Sequence, residues 1–318
     1  MEAVETDPRI PAEPGFAFSL IGSGAVREHP ERAGTCQVVR IGEESLLVDC
    51  GRRAVANLVR FGYQPEQFRT ILISHLHFDH VCDLAQLLLL SWVRGRTEPL
   101  RFFGPAGLRD FLEYGVRRAY AEDIRSRLAH GKDPKGVEWE IIELEKDGPF
   151  LKENGVVISA LKSAHAGMAN YNYRFDTGTR SLVVTSDTEP DPRLAEFSRN
   201  ADLLVVECSG TAEFLATQPW GAWHLTPEKI GELATHAGVG QVILKHLVID
   251  SWCGDPGVLD QMAASVRNGF RGPVSVGFDG LYRILAKEPA GCSSVRASKK
   301  TESQKQESTR RRFGGLDS

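Results

Sequence analysis

The sequence predicts a mixed αβ fold in which β-sheets lie in the middle and helices lie outside. Two observations lead to this fold class. Short apolar runs of β-type residues recur along the chain, and several of them form close pairs joined by turns. Segments with helical periodicity lie between these runs, and no internal repeat is evident. With 318 residues, the chain is long enough to bury a sizeable core.

Strands and helices alternate in the first half of the chain. Apolar runs predict strands at residues 16–21, 36–40, 45–49, 70–74 and 100–103, and the second and third of these form a hairpin that turns at Gly42. Apolar periodicity predicts helices at 54–61 and 83–93, and a long helix is expected after Pro105, ending near Leu128.

The second half is richer in strands. They are predicted at residues 139–144, 156–161, 171–175, 181–185, 203–207, 242–244 and 274–276. A helix is predicted at 227–237, since Thr226 can cap it and Pro227 suits its first turn. Another helix is expected at about 256–268.

The composition changes sharply only at the two ends of the chain. Residues 1–15 are acidic and contain proline, which predicts a flexible N-terminal segment without the features of a signal peptide. Residues 289–318 are rich in Ser, Lys, Gln and Arg, which predicts a disordered polar and basic tail. A single folded domain is therefore expected at residues 16–288.

Charge, hydropathy and cysteine usage limit the expected partners and compartment. The formal net charge is -4, so no global positive field attracts nucleic acid or anionic lipid. No apolar stretch is long enough to span a membrane. The six cysteines lack CxxC spacing, so we expect free, mostly buried thiols and a cytoplasmic protein.

Metal-ligating side chains are concentrated in one short segment. His75, His77, Asp79 and His80 directly follow the apolar strand at 70–74. A turn at the carboxyl end of a buried strand can aim such side chains at one point, and imidazole with carboxylate suits zinc, iron or manganese. A chance group of surface histidines is a poor explanation of this spacing.

Three further residues repeat the same placement. His165, Asp187 and His246 each lie just beyond a predicted apolar strand. Each one alone is more typical of a capping or hydrogen-bonded residue. Their recurrence at strand ends favours a shared metal site.

These residues, in this order, resemble the metallo-β-lactamase superfamily. Finer motifs are similar to its ribonuclease Z and arylsulfatase-like branch. Besides the histidine motif, the resemblance rests on residues 47–51, 97–105, 171–175, 186–188, 224–226, 242–246 and 278–280, and it covers 16–287.

The resemblance implies an αββα four-layer sandwich with a metal site at one edge of two central sheets. It implies two divalent ions, with zinc favoured and manganese or iron as alternatives, and by analogy a homodimer. The first ion would be held by His75, His77 and His165, the second by Asp79, His80 and His246, and Asp187 would bridge them. Asp49 would orient the ligand loop.

Catalytic roles also follow from the resemblance. We expect His224 to act as a general acid and Glu207 to orient it, because ribonuclease Z-like enzymes pair the matching histidine with a glutamate. Asp79 is included in the catalytic group as well as in the ligand set. A histidine that merely precedes a helix and bonds locally is the alternative for His224.

A substrate pocket is predicted beside the general acid. The aromatic segment 214–223 is expected to be irregular. A pocket for an organic substrate could be walled by Trp220, Trp223, Met168 and Tyr171. Packing of these side chains in the core is an equally good explanation.

The leading hypothesis is therefore a hydrolase of a small organic ester (phosphodiester, sulfate ester or lactone), which uses a hydroxide shared by two metals and a histidine acid. A ribonuclease Z-like tRNA 3′-processing endonuclease is the alternative. Against it stand Val206, where ribonuclease Z has histidine, a poor match at the loop 29–34 and no recognisable tRNA-gripping arm. An iron-dependent oxygenase and a silent binding protein are weaker alternatives. We thus expect a small-molecule substrate and no membrane partner, with nucleic acid disfavoured but left open as a partner.

Overall fold

The computed structural model describes residues 15–248 and 257–287. Most of the predicted N-terminal segment (1–15), the predicted tail (289–318), Cys253 and Cys292 lie outside these residues. Among the described cysteines, Cys36, Cys50 and Cys208 are buried free thiols, and Cys82 is an exposed one.

Strands alternate with helices along the described chain. The strands are β1 (Gly15–Gly22), β2 (Cys36–Gly42), β3 (Glu44–Val48), β4 (Thr70–Leu72), β5 (Leu100–Gly104), β6 (Trp139–Glu143), β7 (Gly148–Glu153), β8 (Val156–His165), β9 (Met168–Asp176), β10 (Ser181–Val184), β11 (Leu203–Glu207), β12 (Val242–Lys245), β13 (Val274–Val276) and β14 (Leu281–Lys287). The α-helices are α1 (Ala54–Arg60), α2 (Phe78–Val81), α3 (Leu84–Val93), α4 (Leu108–Leu112), α5 (Ala121–Ala129), α6 (Arg193–Phe197), α7 (Ala212–Ala216), α8 (Pro227–Ala237) and α9 (Val258–Gly269).

The first sheet has the strand order β14-β1-β2-β3-β4-β5-β6. Strands β1, β2 and β3 pair antiparallel, whereas β3, β4, β5 and β6 run parallel, with Val48 opposite Leu72 and Leu72 opposite Phe103. Because parallel strands end at the same edge, the segments after β3 and β4 emerge side by side.

The second sheet has the order β13-β12-β11-β10-β9-β8-β7. Its strands β10 to β13 run parallel, and β7, β8 and β9 form an antiparallel meander. The segments after β10, β11 and β12 therefore also emerge at one edge.

Three apolar clusters define the layers. One fills the space between the two sheets and includes Phe18, Tyr173 and Val205. A second joins the first sheet to α1, α3 and α4, and a third joins the second sheet to α6, α8 and α9. Helices thus cover the outer face of each sheet, and the predicted αββα four-layer sandwich is confirmed.

The long helix predicted after Pro105 is wrong. Helix α4 ends at Leu112, a π-helical stretch spans Glu113–Arg118, and α5 begins at Ala121. Gly115 lies within the π-helical stretch, and the flexibility of glycine weakens an α-helix at that point.

Strand β7 was not predicted from the sequence. It contains Pro149, whose missing N–H argues against a strand. The structure places β7 at the end of the second sheet, with an irregular register between Pro149 and Leu151. Proline is tolerated at such an edge.

None of the helices formed by the described residues is both long and apolar enough to cross a membrane.

Gly51, just after β3, is a point where two backbones cross closely. A Cβ atom at this position would lie 2.0 Å from the carbonyl oxygen of Asp79 and 2.8 Å from the carbonyl carbon of Gly34. Since neither backbone atom can rotate away, Gly51→Ala should lower the free energy of unfolding by about 1–3 kcal/mol, measured by equilibrium urea unfolding.

Gly115→Ala is the matched control for this prediction. A Cβ atom there meets nothing within 4 Å, so the substitution should leave stability unchanged or raise it by up to about 1 kcal/mol. Equal stabilities of the two variants would contradict the proposed crossing.

Candidate metal centre

The ligand-rich loop leaves the first sheet after β4. Helix α2 begins at Phe78, so Asp79 and His80 lie in its first turn, while His75 and His77 precede it. The side chains of His75, Asp79 and His80 are buried, and that of His77 is partly buried. A short turn followed at once by a helix therefore points four donor groups into one space.

Asp49 holds both ends of this loop. Its Oδ1 accepts the backbone N–H of Ser74 at 2.8 Å, and its Oδ2 accepts the Ser74 hydroxyl at 2.8 Å. The same Oδ2 lies 2.9 Å from Nδ1 of His80. Asp49 adopts a left-handed backbone conformation (φ 58), which aspartate tolerates better than most residues. These contacts are those expected of a residue that orients the loop.

Four donor groups converge at one side of the site. Nδ1 of His77 lies 2.9 Å from Nε2 of His75 and 3.2 Å from Nε2 of His165, which is the last residue of β8. Oδ2 of Asp187 lies 3.7 Å from Nε2 of His165 and 4.0 Å from Nε2 of His75. All four donor atoms lie within 4.8 Å of one another.

A second group lies on the other side of Asp187. It consists of Asp79, His80 and His246, whose donor atoms also lie within 4.8 Å of one another. Oδ2 of Asp187 lies 3.0 Å from Nε2 of His246 and 3.4 Å from Nε2 of His80. The same carboxylate oxygen therefore faces both groups, and the structure brings together all seven residues predicted as ligands.

Hydrogen bonds on the outer side fix the imidazole rings. Nδ1 of His165 lies 3.1 Å from the carbonyl oxygen of Trp223, and Nδ1 of His246 lies 3.0 Å from the Ser209 hydroxyl. Nδ1 of His75 lies 3.2 Å from the Ser186 hydroxyl. With their outer nitrogens bonded, these rings present Nε2 to the centre.

The turn that carries Asp187 is held by two asparagines of β9. The side-chain amide of Asn170 donates to the carbonyl oxygen of Asp187 at 2.6 Å. The backbone N–H of Ser186 donates to Oδ1 of Asn172 at 2.9 Å. Both asparagines are buried, so this turn is fixed from within the protein.

The protein environment favours neutral rings in the first group. Burial lowers the pKa of His75 well below its usual value, and the neighbouring imidazoles lower it further. Burial likewise lowers the pKa of His77 and of His165. Neutral imidazoles keep the lone pair that a metal requires.

The second group favours a positive charge. Burial opposes protonation of His80, but the carboxylates of Asp187, Asp49 and Asp79 raise its pKa to about 10. Burial also opposes ionisation of Asp79, yet His80 and His246 lower its pKa to about 2. These buried carboxylates thus create a negative potential that a cation would neutralise.

The donor set fits a divalent metal. Nε2 of His80 and Oδ1 of Asp187 are buried without a hydrogen-bond partner in the part of the chain that the structure describes. Buried polar atoms without partners are costly unless they have another ligand. Imidazole nitrogens and carboxylate oxygens are donors that zinc prefers, and seven of them exceed the needs of one tetrahedral ion.

His224 lies beside this centre with its own partner. Nδ1 of His224 lies 3.2 Å from Oε2 of Glu207 and 3.0 Å from the Ser209 hydroxyl, which itself donates to Glu207 at 3.1 Å. Burial opposes protonation of His224, but the charge and hydrogen bond of Glu207 raise its pKa to about 9. The predicted His224–Glu207 pair is therefore in contact.

An open cavity of about 320 Å³ leads to these residues. Its walls include Asp187, His224, Trp220, Trp223 and Phe78. Trp220 and Trp223 were both predicted as pocket residues, and the structure places both in the wall.

The other two predicted pocket residues do not line this cavity. Tyr171 is wrong as a wall residue: it is buried between the sheets, and its hydroxyl donates to the carbonyl oxygen of Leu144. Met168 is partly buried at the start of β9, opposite His165 across the hairpin. Alternation along β9 explains the error, because Tyr171 points into the space between the sheets.

The segment 214–223 is more regular than expected. It contains the end of α7, which Thr211 caps by accepting the backbone N–H of Phe214, and a 3₁₀ turn at Gly221–Trp223. The capping threonine was the signal that sequence reasoning missed.

Several site residues were not predicted. Ser209 bonds Glu207, His224 and His246, and Phe78 and Val26 line the cavity. Position within the histidine motif could have identified Phe78. No sequence pattern marks Ser209.

Comparison with known proteins defines the family. Residues 44–247 match the model of the beta-lactamase superfamily domain. Ribonuclease Z of Mycobacterium avium is 30% identical over 282 residues, which are 86% of this chain and 99% of that protein. Ribonuclease Z of Mycolicibacterium gilvum is 31% identical over 290 residues, again 86% of this chain and 99% of that protein.

Solved structures share the fold. The metallo-beta-lactamase fold protein YhfI of Bacillus subtilis aligns with a TM-score of 0.68 at 24% identity, covering 84% of this chain and 98% of that one. The short form of human tRNase Z aligns with a TM-score of 0.66 at 18% identity, covering 85% and 99%.

The fold and the comparisons together define a metal-dependent hydrolase. The chain belongs to the metallo-β-lactamase superfamily, in its ribonuclease Z branch.

The expected partners must be corrected. The expectation of a small-molecule substrate, with nucleic acid disfavoured, is wrong. Two relatives that this chain matches over 99% of their length are named ribonuclease Z. The expectation rested on overall charge and on a missing arm, which describe the whole surface rather than the site.

Proposed function

We propose that this chain is a zinc-dependent endoribonuclease of the ribonuclease Z type that removes the 3′ trailer from precursor tRNA. The observation that carries the proposal is the 30% identity to ribonuclease Z over 99% of that relative. The paired His224 and Glu207 beside the metal centre add support, because a phosphodiester needs a proton donor for its leaving oxygen.

Seven residues would hold two metal ions. His75, His77 and His165 would bind the first, Asp79, His80 and His246 would bind the second, and Asp187 would contact both. The imidazole and carboxylate donors suit zinc. The chemistry that divalent ions supply at such a site is activation of water and polarisation of a phosphoryl oxygen.

The protein residues would prepare and complete the reaction. Asp49 orients the ligand loop through Ser74 and His80. The Oε2 atom of Glu207 accepts a hydrogen bond from Nδ1–H of His224, so that Nε2 of this ring can carry the proton for the leaving ribose oxygen. The backbone N–H of Leu225 donates to the other oxygen of Glu207 at 2.7 Å and fixes the carboxylate.

The metal content tests the ligand assignment. The purified protein should carry close to two zinc ions per chain, and Asp187→Ala should lose most of this metal, because Asp187 faces both donor groups. Elemental analysis of the two proteins gives the measurement. One ion or none in the wild-type protein, even after zinc is supplied, would refute the two-metal assignment.

His224→Ala tests the proton donor. This variant should keep both metals, since Nδ1 of His224 is bonded to Glu207, and should lose rate by roughly 10²–10⁴-fold. The loss should shrink for model phosphodiesters with acidic leaving groups, which need little help from an acid. A rate loss that is equal for good and poor leaving groups, or a loss of metal, would show that the role is wrong.

The substrate is tested by direct comparison. We expect kcat/KM for a precursor tRNA to exceed that for aryl phosphodiesters, aryl sulfates and lactones at physiological salt, with cleavage at a single site at the 3′ side. Sequencing of the RNA ends identifies the site. Efficient lactone or sulfate ester hydrolysis together with no RNA cleavage would contradict the proposed function.

A further inference from the structure

Two large aromatic side chains at the cavity are exposed. Phe78 is 61% exposed and Trp223 is 40% exposed, and both line the cavity that leads to the metal centre. Exposed apolar surface at the mouth of a cavity is typical of ligand-binding sites, which are lined mainly by apolar and aromatic side chains. Neither ring is needed to fill the protein core.

The two rings lie in segments that follow strands of different sheets. Phe78 lies between His77 and Asp79, in the segment that follows β4 of the first sheet. Trp223 directly precedes His224, in the segment that follows β11 of the second sheet. The exposed rings therefore flank the centre from separate segments of the chain.

Trp223 contributes to the centre through its backbone. Its carbonyl oxygen lies 3.1 Å from Nδ1 of His165, whereas its ring centroid lies 6.3 Å from that of His165. Removing the indole thus leaves the carbonyl contact in place. The ring itself is free to contact a substrate.

The neighbouring Trp220 is engaged within the protein. Its ring lies edge-on to His224 at 5.3 Å and contacts Phe214 at 5.9 Å, and the guanidinium of Arg27 lies 5.7 Å from the Phe214 ring. Trp220 therefore packs between Phe214 and His224, the proposed general acid. Phe78 and Trp223 are therefore the rings whose faces remain for a ligand.

We propose that Phe78 and Trp223 stack on the nucleobases that flank the scissile phosphodiester, so that the RNA enters the site as a single strand. The inference rests on the proposed ribonuclease function and identifies the part of the RNA that binds. Aromatic rings stack on any base, because every base has a π-face. In a duplex these faces are covered by neighbouring base pairs, so a paired segment cannot use the two rings.

Binding to a short RNA tests the inference. The probe is a fluorescein-labelled single-stranded RNA of about ten nucleotides with phosphorothioate linkages, compared with the same strand annealed to its complement. Fluorescence anisotropy gives Kd for zinc-loaded wild type, Phe78→Ala, Trp223→Ala, Phe78→Tyr and Trp223→Phe. Tyr114→Ala is the matched control, since Tyr114 is 57% exposed and does not line the cavity.

Each alanine variant should weaken binding of the single strand by about 5- to 100-fold, and each aromatic variant should stay within about threefold of wild type. Tyr114→Ala should bind as wild type does. The slope of log Kd against log salt should not change, because no phosphate contact is lost. Metal content should stay the same in all variants.

Three results would overturn the inference: an unchanged Kd in both alanine variants, parallel losses for single strand and duplex, or loss of metal from the alanine variants. A wild-type protein that does not bind the single strand would overturn it as well. If the protein cleaves precursor tRNA but its RNA affinity does not depend on the two rings, the inference is wrong and the proposed function stands. Ring-dependent binding without cleavage of precursor tRNA defeats the proposed function alone.

Discussion

The carboxylate of Asp49 is the interaction on which the candidate centre depends. It bonds the backbone and hydroxyl of Ser74 before the ligand loop and Nδ1 of His80 at its far end. Its own position follows from the parallel pairing of β3 with β4, because the N–H of Asp49 continues that ladder to the carbonyl oxygen of Leu72 at 2.9 Å. The backbone N–H of the next residue, Cys50, donates to the carbonyl oxygen of His80 at 2.7 Å. Sheet pairing thus sets the loop conformation.

The centre also links the two sheets. Asp79 and His80 follow the first sheet, whereas Asp187 and His246 follow the second, and their donor atoms lie within hydrogen-bonding or ion-pair distance. Buried carboxylates and imidazoles so close together are costly without a compensating charge. A cation held between them would stabilise the contact between the layers as well as the chemistry. We therefore expect metal binding to be coupled to folding of the sandwich.

Much of this arrangement can be predicted from the sequence, because strand ends and ligand motifs are local patterns. The helix at 227–237 and the convergence of His165, Asp187 and His246 follow from apolar runs and from the placement of a polar residue after each run. Contacts between distant segments cannot be predicted in this way. Ser209 joins Glu207, His224 and His246 only because β11 and β12 are neighbours, and the burial of Tyr171 depends on the facing sheet. The substrate class could not be predicted from local patterns either, since net charge describes the whole chain whereas the cavity wall consists of a few residues.

The proposal of two metals on either side of Asp187 is tested most directly by an anomalous difference map, recorded at the zinc edge from crystals of the zinc-loaded protein. Two peaks are predicted, one between His75, His77 and His165 and one between Asp79, His80 and His246, both adjacent to Asp187. A single peak, or peaks away from Asp187, would contradict the account.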